Sequence, residues 1–281
     1  MRITAAGTVP DSHRIPLHLS DVGRSIAIVP VRKNTLQMYN FFGIYCTIIR
    51  FFLILPQNCN TMAHTPQFLI AAPTSGSGKT TIARGLMALY VAKGYAVQPY
   101  KCGPDYIDTK FHAAVCGRPS INLNTFMATP DHVRQLFYRY AEGADIRIIE
   151  GMMGLYDGYE RDEGSSAQVA RVLDVPVVLV VDARSAAYSM AALIDGFIHF
   201  RRAPRFAGVI FNKVGSERHQ SMLSQVCEDL QVECLGMLPK NDSLEHGSRY
   251  LGLDFSHQAA VAPLISLIEK HVRWERLLQL S

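Results

Sequence analysis

Residues 73–81 read PTSGSGKTT and directly follow the apolar run FLIAA at 68–72. A short buried strand, a loop of small residues and a helix pattern form the setting in which backbone N–H groups bind phosphate oxygens. Lys79 can supply a positive charge for the β- and γ-phosphates, and the Thr80 hydroxyl can ligate Mg²⁺. The match is imperfect, because Pro73 stands where the first glycine usually lies. The stretch predicts a nucleoside triphosphate site.

The composition is that of an ordinary globular protein with a mild positive charge. The chain has 281 residues, of which 48% are hydrophobic and 19% charged, and its net charge is +4. That length suffices for one large domain or two small ones. The basic residues are scattered and form no basic tract with interleaved aromatic residues, so nucleic acid is not an expected partner. The six cysteines include no CxxC pair, which predicts neither a zinc site nor a redox pair and fits a reducing cytoplasm.

Residues 1–38 show no clean period and no motif. The apolar run at 41–55 contains Arg50 and is shorter than the ~20 residues that a membrane-spanning helix needs. Three interpretations stay open: a membrane or peripheral anchor, an extra buried helix, or an extension upstream of a true start at Met62. We favour the third, because Met62 stands six residues before the first predicted strand. Residues 1–62 are therefore expected to be disordered or no part of the native fold, which residues 63–281 would form.

Apolar strand patterns alternate with amphipathic helix patterns from residue 68 onward. The sequence predicts strands at 68–72, 96–100, 146–149, 175–181, 207–211 and 233–237, and helices at 80–93, 130–142, 166–173, 189–200, 218–230 and 259–279. Such alternation is typical of βαβ units. We therefore predict an α/β fold of the P-loop NTPase type, a mostly parallel sheet with helices on both faces. Ligands of such sheets bind at the carboxyl ends of the strands.

The segment KCGPDYID at 101–108 follows the second predicted strand. Lys101 can neutralise a transferring phosphoryl group or a substrate carboxylate. Gly-Pro forces a turn that presents Asp105 and Asp108 to one rim, where two carboxylates can hold Mg²⁺ or pair with a cationic substrate group. The alternative is a polar turn with a helix N-cap at Asp108.

The segment EGMMGLYDG at 150–158 follows the third predicted strand. Glu150 stands where P-loop enzymes place an acidic residue for Mg²⁺, and Asp157 is a second acidic candidate. Three glycines in these nine residues permit a close approach of the backbone to a ligand. The alternative is a mobile loop with incidental acidic residues.

Asn212 and Lys213 follow the strand predicted at 207–211. An Asn-Lys pair at this place resembles the base-binding element of nucleotide-binding proteins. Gly215 replaces the acidic residue that would select guanine, so adenine is the predicted base and Asn212 its contact. No role is predicted for the lone histidines, which lack metal-ligand spacing: His64, His112 and His219.

Six blocks occur along the chain in this order: APTSGSGKTT, KCGPDYIDTKFH, IEGMMGLYDGY, GSSAQVARVLDVPVVLVVDA, GVIFNKV and YLGLDF. In order and spacing they resemble the synthetase domain of the cobyrinate a,c-diamide synthase family. The resemblance runs from about residue 68 to the C-terminus. Dethiobiotin synthetase is similar at a greater distance, with the same loop and the same lysine after the second strand.

The resemblance implies a carbon–nitrogen ligase that uses ATP to amidate the a and c carboxylates of cobyrinate in cobalamin biosynthesis. Phosphoryl transfer would make an acyl phosphate, from which ammonia displaces phosphate. On this chemistry Lys79 and Lys101 stabilise the transferring phosphoryl group. The expected Mg²⁺ ligands are Thr80, Asp105 and Glu150. By resemblance, the substrate and ammonia end is lined by Asp105, Tyr106, Asp108 and Asp157. The expected nucleotide-binding residues are Ser75, Gly76, Ser77, Gly78, Lys79, Thr80, Thr81 and Asn212.

The chain also departs from the family, whose members continue into a glutaminase domain with a cysteine nucleophile. Because this chain ends at Ser281, we expect no glutaminase activity from it, with glutamine or ammonia, free or from a separate glutaminase, as the nitrogen donor of the ligase. The chain would be one half of a split enzyme, a truncated gene product or a synthetase that runs on free ammonia. Two other functions stay open: amidation of another tetrapyrrole such as nickel sirohydrochlorin, and a partition-type switch ATPase. Against the ATPase, Thr74 stands where those proteins carry an extra lysine, five residues before Lys79, and no basic amphipathic C-terminal helix is evident. An inactive fragment would bind nucleotide without turnover.

Overall fold

A computed structural model describes residues 65–240 and 261–280. Predictions that concern residues 1–62, His64 and the block YLGLDF fall outside these ranges. The elements in chain order are β1 Gln67–Ala71, α1 Lys79–Ala92, β2 Val97–Cys102, α2 Asp108–Cys116, β3 Ile121–Leu123, α3 Pro130–Tyr140, β4 Ile146–Glu150, α4 Ser166–Leu173, β5 Val177–Asp182, α5 Met190–His199, β6 Phe206–Val214, α6 Glu217–Asp229, β7 Cys234–Pro239, α7 Val261–His271 and α8 Trp274–Leu280.

The strands form one seven-stranded sheet in the order β3-β2-β4-β1-β5-β6-β7. Each neighbouring pair is parallel, which confirms the predicted α/β fold with its parallel sheet. The register pairs Glu150 with Ile70 on one side and with Lys101 on the other. The carboxyl ends of β1, β2 and β4 therefore lie level with one another.

Helices cover both faces of the sheet, and successive residues of β1 belong to opposite faces. Leu69 and Ala71 join the apolar core that includes side chains of α3, α4 and α6. Phe68 and Ile70 join the second core, to which α1, α7 and α8 contribute. A parallel strand that is buried on both faces explains the unbroken apolar run before the loop. Within the described residues no helix is both long and apolar enough to cross a membrane.

All six predicted strands and the first five predicted helices are present, with ends shifted by at most three residues. The helix α2 and the short strand β3 were not predicted. The nine residues of α2 bury only His112, so α2 lacks an apolar stripe that a sequence pattern could reveal. The strand β3 has only three residues at the edge of the sheet.

The prediction of a single helix at 259–279 is wrong within its described part, because two helices, α7 and α8, are present and the helical conformation is interrupted between them. Val272 forms an antiparallel bridge with Gly236 of β7. The N–H of Arg273 donates a hydrogen bond to the carbonyl of Leu235 at 2.7 Å. These bonds tie the backbone to the outer strand of the sheet, which interrupts the helical bonding.

Candidate active site

The loop between β1 and α1 contains two glycines in the left-handed backbone conformation. Gly76 and Gly78 adopt left-handed φ angles of 81° and 98°, a conformation that favours glycine. The hydroxyl of Ser77 donates to the carbonyl of Thr74 at 2.9 Å and fixes the turn. The helix α1 begins at Lys79 and adds the free N–H groups of its first turn. The loop and the helix N-terminus therefore form a cradle suited to an anion.

Lys79 is buried beneath this loop, and its Nζ donates to the carbonyl of Met153 at 2.6 Å. Burial lowers the pKa of Lys79, while the charge of Glu150 opposes that effect. The ammonium group thus joins the P-loop to the loop after β4. Both loops leave the same edge of the sheet.

Glu150, the last residue of β4, is completely buried in the centre of the site. Its Oε1 accepts hydrogen bonds from Thr80 Oγ1 at 2.5 Å and from Lys101 Nζ at 3.0 Å. Its Oε2 lies 2.7 Å from His112 Nε2. Burial by itself would raise the pKa of Glu150, but the hydrogen bond with His112 and the charge of Lys101 hold it below its usual range. The carboxylate is therefore ionised at neutral pH.

Lys101 lies between two carboxylates at the end of β2. Its Nζ is 2.6 Å from Asp108 Oδ2 and 3.0 Å from Glu150 Oε1. Burial would lower the pKa of Lys101, but the charges of Glu150 and Asp108 raise it above its usual range. The pKa of Asp108 is raised by burial and then by Glu150, and Lys101 opposes both. Lys101 is thus held as a cation at neutral pH.

The structure brings Lys79, Thr80, Lys101, Asp108 and Glu150 together, and it places three further predicted residues on the surrounding loops. Asp105 Oδ1 accepts from the N–H groups of Ile107 at 2.8 Å and Asp108 at 2.9 Å, so its carboxylate organises the start of α2. Tyr106 is 69% exposed. Asp157 Oδ2 accepts from the N–H of Gly154 at 2.8 Å. The predicted ligand contacts of Asp105, Tyr106 and Asp157 stay predictions.

Asn212 reaches from β6 to the P-loop. Its Nδ2 donates to the carbonyl of Ser77 at 3.0 Å, and its Oδ1 accepts from the N–H of Lys213 at 3.0 Å. Asn212 therefore lies beside the phosphate cradle, and its contact with adenine stays a prediction. Of the other expected nucleotide ligands, Ser75 is exposed on the loop and Thr81 lies in the first turn of α1.

This geometry agrees with a sequence comparison. Residues 68–251 match the CbiA family, described as the CobQ/CobB/MinD/ParA nucleotide binding domain. The chain belongs to the CbiA family. Among solved structures, FtsY from Mycoplasma mycoides aligns with a TM-score of 0.47 and 16% identity, over 64% of this chain and 61% of FtsY.

Curated members confirm the resemblance that the motifs indicate. The cobyrinate a,c-diamide synthase of Caldanaerobacter subterraneus is 50% identical over 188 residues, which are 66% of this chain and 41% of that protein. The hydrogenobyrinate a,c-diamide synthase of Streptomyces coelicolor is 50% identical over 190 residues, 67% of this chain and 39% of that protein. The chain thus spans less than half the length of these two relatives.

Among the residues at the centre of this CbiA-family site, the sequence patterns assigned no role to His112. It is completely buried and contacts Glu150 directly. The signal lies in spacing along α2, where Asp108 and His112 stand four residues apart and so share one face of the helix. Because α2 was not predicted, nothing in the sequence placed Asp108 and His112 on the same face of a helix.

The CbiA-family site offers oxygen ligands of the kind that Mg²⁺ prefers. Thr80 Oγ1 and Glu150 Oε1 lie 2.5 Å apart at the first turn of α1, beside the phosphate cradle. A hydroxyl and a carboxylate suit a hard cation that also keeps water and phosphate ligands. Within the described residues no group of three or more His, Cys, Asp and Glu side chains could hold a metal ion by itself. These residues therefore fit Mg²⁺ that arrives with a nucleotide.

Proposed function

We propose that this chain is an ATP-dependent ligase that amidates the a and c carboxylates of cobyrinate in cobalamin biosynthesis. The observation that supports it most is the direct contact of Lys101 and Glu150 beside the P-loop. Both residues come from blocks that resemble the a,c-diamide synthases. The 50% identical relative from Caldanaerobacter subterraneus is named for cobyrinate, which supports the substrate, and the one from Streptomyces coelicolor is named for hydrogenobyrinate. The proposal includes ammonia as the immediate nitrogen donor and a cytoplasmic location.

The proposed reaction has two steps. In the first, a substrate carboxylate oxygen attacks the γ-phosphorus of ATP, and ADP leaves with the electrons of the broken P–O bond. In the second, ammonia attacks the carbonyl carbon of the acyl phosphate, the C–N bond forms, the C–O bond to phosphate breaks, and the nitrogen loses a proton that leaves with the phosphate as hydrogen phosphate. The first step gives the carboxylate a leaving group that it otherwise lacks.

The cationic side chains of the site suit the first step. Lys79 lies at the start of α1, where it can contact the β- and γ-phosphates, and Lys101 carries a second charge at the end of β2. Thr80 and Glu150 would hold Mg²⁺, which neutralises negative charge on the phosphates. Positioning and charge neutralisation account for most of the rate enhancement in phosphoryl transfer.

An exposed aromatic pair at the same edge of the sheet supports a flat substrate. The rings of Phe126 and Tyr159 lie 4.6 Å apart between centroids and are 64% and 63% exposed. Gln168 Oε1 accepts from Thr125 Oγ1 at 2.6 Å and from the N–H of Gly164 at 2.7 Å, which joins the loops that carry the two rings. Rings held in this way can stack against the face of a macrocycle at little cost in conformational entropy.

The proposed function is tested by incubating the purified chain with cobyrinate, ATP, Mg²⁺ and ammonium, and by mass spectrometry of the products. We expect the mono- and diamide with ammonium, no amide with glutamine alone, and no amide from Lys79→Ala that retains the wild-type circular dichroism spectrum. Parallel reactions with nickel sirohydrochlorin test the other tetrapyrrole. ATP turnover without amide from either ring would contradict the proposal and favour a switch ATPase.

A further inference from the structure

His112 connects α2 to the carboxylate at the end of β4. Its Nε2 lies 2.7 Å from Glu150 Oε2, and its Nδ1 lies 3.2 Å from Ser120 Oγ. Both ring nitrogens therefore have a partner although the side chain is completely buried. The two proposed reaction steps assign no task to this imidazole. A buried polar group that is bonded at both ends is a strong constraint on its neighbours.

The contact with Glu150 defines the role of Nε2. The carboxylate of Glu150 is ionised and accepts hydrogen bonds only, so the imidazole must donate from Nε2. The hydroxyl of Ser120 can either donate to Nδ1 or accept from it. In both cases the contact with Ser120 fixes the plane of the ring.

The two carboxylate oxygens of Glu150 consequently bind different partners. Oε1 faces Thr80 and Lys101, while Oε2 accepts from His112 on the side of α2. The terminal torsion of a glutamate has a broad energy minimum, so a carboxylate that lacks the second contact can rotate. Rotation would move Oε1 away from Thr80.

We propose that His112 is a positioning residue, which holds the Glu150 carboxylate in the plane that directs Oε1 to Thr80 and to the Mg²⁺ that accompanies a nucleotide. The role of this site in amidation rests on the proposed function, whereas the positioning concerns metal-nucleotide binding alone. Partners of this kind behind a metal ligand typically change metal affinity by about 10- to 100-fold when they are removed.

The test compares two variants by isothermal titration calorimetry of ATP binding at increasing Mg²⁺ concentrations, without cobyrinate. His112→Leu keeps the bulk of the side chain but removes the donor, and His112→Gln retains an N–H that reaches the Nε2 position. We expect the Mg²⁺ concentration for half-maximal ATP affinity to rise about 10-fold in the leucine variant and to return to within about 3-fold of wild type in the glutamine variant. ATP affinity without Mg²⁺ should stay unchanged.

Tyr90→Phe is the matched control, because it also removes a buried hydrogen bond, from Tyr90 Oη to the carbonyl of Trp274 at 2.8 Å. Tyr90 lies in the C-terminal half of α1, away from Thr80 in the first turn. A rise below about 3-fold in the leucine variant, an equal rise in the glutamine variant, or a similar rise in the control would overturn the proposal.

If the leucine variant does not fold, a measurement on the wild-type protein tests whether His112 donates to Glu150. Long-range ¹H–¹⁵N correlation spectra should show a proton on Nε2 of His112, and an Nε2 without a proton would overturn the proposal. Because neither measurement uses cobyrinate, a failure of amidation would count against the proposed function and leave this inference standing.

Discussion

At the scale of the residue, Glu150 at the end of β4 is both completely buried and charged. Glu150 is ionised although it is completely buried, because Lys101, His112 and Thr80 surround its two oxygens. Removal of one partner from a buried ion pair costs about 3–5 kcal/mol, since the other charge is left without compensation. The stability of the molecule should therefore depend on the ionisation of this one side chain.

This dependence gives a prediction for acid pH. The pKa of Glu150 is about 2 in the folded protein against 4.5 ordinarily, so its ionised form stabilises the fold above pH 4.5, and that contribution is lost as the pH falls towards 2. The difference in unfolding free energy between wild type and Glu150→Gln should be constant from pH 7 to 5 and shrink below 4.5. Denaturant unfolding at each pH measures it, and a difference that already shrinks at pH 6 would contradict the assignment.

A second prediction concerns the two left-handed glycines of the P-loop. A Cβ at Gly78 would overlap Asn212 Nδ2, whereas a Cβ at Gly76 meets no atom within 4 Å. Gly76→Ala should therefore cost only backbone strain, ~1–2 kcal/mol. Gly78→Ala should cost about 1 kcal/mol more, because it displaces Asn212 from its bond with Ser77. Urea unfolding of both variants measures the difference, and equal losses would argue against the close approach of Asn212.

At the scale of elements, predictability followed the amount of apolar surface that each element buries. Long apolar patterns in the sequence predict the strand β5 and the helix α1, whereas α2 buries only His112 and has no such pattern. The break between α7 and α8 depends on backbone bonds to β7, which leave no trace in side-chain periodicity. Elements fixed by distant backbone contacts are therefore the ones that a single sequence conceals.

The break itself is open to test. Arg273→Pro removes the N–H that bonds Leu235, whereas Arg273→Ala retains it and loses only the side-chain contacts with Glu233 and with the carbonyl of Cys234. We expect the proline variant to lose about 1–3 kcal/mol of unfolding free energy and the alanine variant less than about 1 kcal/mol. Thermal unfolding monitored by circular dichroism compares the two, and matching midpoints would show that the bond contributes little.

The loops that follow β3 and β4 give a prediction about substrate affinity. Phe126→Ala and Tyr159→Ala should each raise the KM for cobyrinate about 10-fold, the equivalent of ~1.4 kcal/mol of lost stacking, with the KM for ATP unchanged. Tyr138→Ala, an exposed aromatic residue on α3, serves as the matched control. Steady-state kinetics with each substrate separates the effects. An unchanged KM for cobyrinate in both loop variants would remove the aromatic pair from the binding surface.

At the scale of the whole molecule, the sequence indicated that the site lies at the carboxyl ends of the strands, but not the order of the strands or how their side chains share contacts. Parallel strands with level carboxyl ends place Lys101 and Glu150 together, and both were predicted to serve one site. The use of Asp105 to organise α2, and the link from His112 to Glu150, arise from a helix that was itself missed. Tertiary placement, rather than residue type, determined these contacts.

The strand order also has a consequence for synthesis on the ribosome. The central strand β1 emerges early, yet its partners β4 and β5 begin at Ile146 and Val177, more than 70 residues later. Because of this distant pairing, the nucleotide pocket cannot form until β4 and β5 have been synthesised. A translation product arrested before Val177 should remain sensitive to protease even with ATP and Mg²⁺, and the addition of β5 should be the step at which nucleotide begins to protect it.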